Sequence, residues 1–177
     1  KLIIEHNATD EDTGFQCFID GEGWSRLDVR GPTGTVLTIQ GVGSLASLGL
    51  TELFFETVEP ENAEVPIDEI LAELPEGDYT IEGPTVEGGQ TTGTARLTHR
   101  IPAGPVLLTP PEGATVPSAN VVVSWSPVTQ TITGEDVTII RYQLIVEVDE
   151  PKHPRAIGTR ALSIYLPATV TSLTLPN

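Results

Sequence analysis

The chain has 177 residues, 38% of them hydrophobic and 5% aromatic, and a formal net charge of −16. That length allows one large domain or two small ones. A surface this acidic repels phosphate backbones and anionic membranes, which argues against nucleic acid and such membranes as partners, while solubility alone accounts for much of the charge. No run of 18 apolar residues is present, so no transmembrane helix is expected. Valine, isoleucine, threonine, glycine and proline dominate, a mix that favours an all-β fold.

Leu2 to His6 reads as the first strand, and Asn7 to Gly14 (NATDEDTG) as a polar turn. Phe15 to Asp20 is a second strand, with Gly21-Glu22-Gly23 expected to turn it. Cys17 is the single cysteine, so it has no intrachain disulfide partner; it shares a face with Phe15 and Ile19, which predicts a buried thiol. Trp24 to Arg30 follows with Leu27 and Val29 inward, and Gly31-Pro32-Thr33-Gly34 connects it to Val36–Gln40 as a β-hairpin. Gly41 to Gly49 carries no assignable pattern. Leu50 to Val58 reads as a strand with Leu53 and Phe55 inward, a helix being the alternative.

Pro66 to Leu74 is the one expected helix. Ile67, Ile70, Leu71 and Leu74 fall on one helical face, Asp68 and Glu69 suit the positive N-terminal end, and Pro75 stops it. Tyr79 and Ile81 then alternate with Asp78, Thr80 and Glu82, and Thr92 to His99 returns with Ala95 and Leu97 inward. Residues 1–103 thus form an acidic β-sandwich of about seven strands. They hold 19 of the 25 acidic residues and 5 of the 9 Lys and Arg, and Ile101 to Pro105 is a short linker.

Beyond it, Val121, Val123 and Trp125 alternate with Val122, Ser124 and Ser126. Ile140, Tyr142, Leu144, Val146 and Val148 share one face of the next strand. Strands are expected at 106–109, 120–126, 138–149, 157–166 and 170–175.

The stretches TPPEGATV, VVVSWSPV and IIRYQLIVEV resemble a fibronectin type III domain over residues 104–177, with an inward Trp on one strand and an inward Tyr on the next. LPEGDYTIEG resembles a late strand of bacterial immunoglobulin-like and prealbumin-like sandwiches, and the layout is similar to that of secreted bacterial proteins carrying fibronectin type III domains. The resemblance implies two antiparallel β-sandwich domains and a secreted or cell-surface setting. A chain beginning at Lys1 with no methionine fits either a processed N-terminus or a trimmed one. Asn7-Ala8-Thr9 matches the glycosylation sequon. The resemblance also implies two more strands after residue 177. A continuation of the chain, a segment of a neighbouring subunit or the run Lys1–His6 of another copy would supply the cover.

No nucleophile-elbow, zincin, P-loop or dinucleotide fingerprint occurs. His6, His99 and His153 have no second ligand at metal spacing, and the two at strand ends read as structural. Asp10 and Asp12, with Asn7, could point oxygens at one Ca²⁺, although no third acid or closing Glu completes a calcium loop. These features indicate a non-enzymatic extracellular structural or adhesive protein, assembling with copies of itself or with extracellular partners. The alternative is a carbohydrate-binding accessory module, whose sugar platform would use Trp24, Tyr79, Tyr165 or the phenylalanines, since Trp125 and Tyr142 read as core.

Overall fold

A computed structural model describes residues 1–147 and 160–176. The fold is all-β, built from antiparallel sheets, and the chain divides into two compact units, residues 1–101 and 102–177. The division falls two residues before the expected boundary at 103/104, at the start of the Ile101–Pro105 linker.

The first unit has two sheets. β1 (Leu2–Asn7), β2 (Asp12–Trp24) and β5 (Leu50–Glu56) form one, in the order β1-β2-β5. β3 (Arg26–Gly31), β4 (Gly34–Gln40), β6 (Gly77–Pro84) and β7 (Gln90–Leu97) form the other, in the order β4-β3-β6-β7. The period-two pattern sets the inner faces. Leu2, Phe15, Cys17 and Ile19 from the first sheet meet Leu27, Val29, Tyr79, Ala95 and Leu97 from the second in one buried core.

Three sequence expectations change here. Gly21-Glu22-Gly23 is no turn: β2 runs through it, with an irregularity in register between Asp20 and Trp24. The extra residues let Trp24 re-enter the core, where it is fully buried. The polar turn after β1 is shorter than expected, because Asp12 and Thr13 already pair with Asn7 and His6. Gly41–Gly49 contains a second helix, α1 (Ser44–Leu48), which buries no residue and so leaves no apolar signature.

The expected helix is α2 (Ile67–Glu73), with Ile70 buried and Asp68 and Glu69 in its first turn. Pro66 is its N-cap rather than its first residue. The hairpin over Gly31–Gly34 forms as expected, and Gly34 adopts φ 118°, a value that glycine takes without strain. The Tyr79 hydroxyl donates to the Pro75 carbonyl at 2.8 Å, tying the segment after α2 to β6.

The second unit has five described strands, the number expected. β8 (Leu107–Thr109), β9 (Val122–Trp125) and β12 (Ser172–Thr174) form a sheet in the order β12-β9-β8, while β10 (Arg141–Glu147) pairs with β11 (Arg160–Pro167). Val123, Trp125 and Leu166 are buried, with Tyr142, Leu144, Ile164, Leu173 and Leu175 packed around them. Ile140 departs from its expected inward face. It precedes β10 and is 85% exposed, because the ladder with β11 begins only at Arg141. Val148, His153 and the expected strand ends near 148–159 lie outside the described residues.

Candidate functional site

A cluster of acidic side chains gathers on the outer face of the β1-β2-β5 sheet. Glu5 and Glu56 lie on the outer strands, with Gln16 between them. Gln16 donates a hydrogen bond to the Glu5 carboxylate. The chain after β5 continues antiparallel alongside β2. Phe15 N–H donates to Thr57 Oγ1 at 3.0 Å, Asn62 N–H donates to the Glu11 carbonyl at 2.7 Å, and Glu61 bridges to Asp12. These contacts bring the Glu59 side chain over Gly14.

Crowding like charges there disfavours ionisation. Burial, then the Glu56 and Asp12 carboxylates, push Glu5 above the ordinary glutamate range. Burial, then Glu5, Asp12 and Glu56, do the same to Glu59. Asp12 Oδ1, Glu59 Oε1 and Asn62 Oδ1 are buried without a hydrogen-bond partner among the described residues.

The expected calcium residues divide between this face and the turn. Asn7 and Asp10 close the turn on themselves: Asn7 Oδ1 accepts the backbone N–H of Thr9 and of Asp10, and its amide donates to Asp10 Oδ2 at 2.8 Å. Asp12 stands opposite Asn7 in the ladder, and its electrostatic neighbours are Glu5 and Glu59. Among the described residues no three His, Cys, Asp or Glu side chains converge as a metal-ligand group. Sequence spacing could not reveal the Glu5–Asp12–Glu56–Glu59 grouping, because strand order and the pairing of the segment after β5 with β2 assemble it.

The two described histidines hold strand ends. His6 Nδ1 and Thr13 Oγ1 share a hydrogen bond of 2.9 Å, and His99 Nε2 bonds the Leu74 carbonyl at 2.9 Å. Trp24 and Tyr79 are removed from the list of possible sugar platforms, since both are fully buried in the core. Of the other expected residues, Tyr165, Phe18 and Phe54 are exposed, and the two phenylalanines form a pair. They stand directly opposite each other on β2 and β5, are 41% and 56% exposed, and are flanked by the pairs Gln16–Glu56 and Asp20–Glu52.

In the second unit the notable feature is unpaired strand edge. Among the described residues, β8 and β12 border the three-stranded sheet with no outer neighbour, and β10 and β11 each have one free side. Val106, Leu107 and Leu108 on and beside β8 are 62%, 61% and 54% exposed. Three consecutive apolar residues along a free edge are a template for another strand. The Lys1–His6 run is no spare strand, because it pairs along its whole length with β2 and buries Leu2.

Comparison with protein-family models, with curated proteins and with solved structures gives no match to this chain. Among the described residues no helix is long and apolar enough to cross a membrane.

Proposed function

We propose that the chain is a non-enzymatic extracellular structural or adhesive protein that assembles with copies of itself, or with other extracellular proteins, by strand addition at its second unit. On this reading the second unit is a fibronectin type III-like sandwich completed by an added strand. The carrying observation is the apolar free edge at Val106–Leu108. Covering such side chains contributes about 1.5–3 kcal/mol each on full burial, and an added strand also pairs the open N–H and C=O groups. A head-to-tail donation that does not close into a ring gives a filament. Electron microscopy of the native protein tests this. Rings or filaments are expected, and isolated single particles at micromolar concentration contradict the reading.

A second reading, glycan binding, draws on the exposed Phe18–Phe54 pair. Aromatic faces offer apolar contact to the C–H face of a sugar, and the flanking Gln16, Asp20, Glu52 and Glu56 provide hydrogen-bonding groups for hydroxyls. A glycan array with the wild type and Phe54→Ala separates the two. Binding that Phe54→Ala abolishes supports the glycan reading, and no binding by either removes it.

A further inference from the structure

The first unit contains a cleft of about 440 Å³ between its two sheets. Phe15, Cys17 and Phe55 line one wall, Val29 and Leu37 the other, and Leu74 at the end of α2 closes it. The sheets approach each other where β1 meets β7, and α2 packs against β2. The volume lies within the range of about 300–1,000 Å³ usual for small-molecule sites.

The wall chemistry restricts the occupant. Thr57 and Glu73 are the only lining residues with oxygen-bearing side chains. The Thr57 hydroxyl is already used, accepting from Phe15 N–H and donating to the Val58 carbonyl. A ligand here finds apolar contact and almost no hydrogen-bonding partner, so polar groups on its body would be buried unpaired. Glu73 at the cleft and the acidic surface of the unit repel an anionic head group. Cys17 presents a thiol that burial, partly offset by the N-terminal ammonium, holds above its ordinary pKa, so it meets the ligand as a neutral, apolar group.

We infer that this cleft binds one small apolar molecule that carries no negative charge. The site belongs to the first unit and is independent of assembly through the second.

The test uses the whole chain with the neutral fluorophore N-phenyl-1-naphthylamine, and the anionic 1-anilinonaphthalene-8-sulfonate as contrast. Saturable binding of one neutral probe per chain is expected, with the anionic probe at least tenfold weaker. Leu37→Trp, which fills the cleft, should weaken the neutral probe at least tenfold. A measurement on the wild type alone guards against misfolding of that variant. Cys17 is the single thiol of the chain, so the mass shift on alkylation by N-ethylmaleimide reports how readily that buried wall opens to a reagent. Saturating neutral probe should slow that alkylation several-fold. Non-saturable binding, equal affinity for both probes, or an alkylation rate unchanged by the probe overturns the assignment.

Discussion

Trp125 and Tyr142 meet edge to face in the second unit, ring centroids 5.4 Å apart and planes 65° to each other. Trp125 comes from the β12-β9-β8 sheet and Tyr142 from the β10–β11 pair, so this contact joins the two sheets. The Tyr142 hydroxyl also accepts the Val128 N–H at 3.0 Å, which fixes the ring. Trp125→Ala should therefore destabilise the second unit by about 3–5 kcal/mol, the usual loss for a large core aromatic. Urea unfolding followed by circular dichroism reads it. A loss under 1 kcal/mol would mean that Trp125 does not carry the core.

Gly31 and Tyr79 give the matching test in the first unit. A Cβ on Gly31 would run into the Tyr79 ring, which is fully buried. Gly31→Ala forces that ring to move and should cost about 1–3 kcal/mol, as overpacked cores do. Tyr79→Phe should cost about 1–3 kcal/mol for a different reason, since it leaves the Pro75 carbonyl without its donor. Thermal melts of both variants check this, and a wild-type melting temperature for Gly31→Ala would contradict the packing.

The acidic face predicts an inverted pH response. Glu5 and Glu59 both take up protons more readily in the folded chain than in the unfolded one. The folded state therefore holds more protons between the ordinary glutamate range and their raised values, and stability rises as pH falls from neutral into that window. At lower pH the opposite group takes over. Hydrogen bonds from Thr38 and then Arg26 hold Asp28 below its ordinary range, so its contribution is lost as pH falls through that lowered value. Melting of the first unit should rise as pH falls from neutral toward the raised glutamate range and fall in stronger acid. Glu59→Gln should raise the melting temperature at pH 7 and flatten the rise. A melting temperature that falls steadily from pH 7 downward would contradict this account.

Much of this fold was legible in the sequence because it rests on local period. The period-two spacing of Leu27 and Val29 and of Tyr79 and Ile81, and the helical spacing of Ile70, Leu71 and Leu74, all report faces that meet a core. The failures have tertiary causes. Glycines at 21 and 23 signal a turn locally, yet β2 continues because Trp24 finds a partner in Leu50. Ser44–Leu48 buries nothing, so no apolar pattern marks it. The grouping of Glu5, Asp12, Glu56 and Glu59 depends on strand order and on the continuation of the chain past β5, which brings Glu59 within 2.7 Å of where a Gly14 Cβ would lie. The turn residues Asn7 and Asp10 were legible as a cluster, but their hydrogen bonds to each other were not.

The most direct test of assembly is sedimentation equilibrium of the native protein beside Leu107→Lys. Leu107 is largely exposed on the β8 edge, so a lysine there leaves the fold intact while placing a charge where an added strand would lie. The account predicts a wild-type mass well above the 18.9 kDa of one chain, growing with concentration, and a variant that sediments as a monomer. A wild type that is monomeric throughout the micromolar range, or a variant that assembles as the wild type does, would contradict self-assembly by strand addition at this edge.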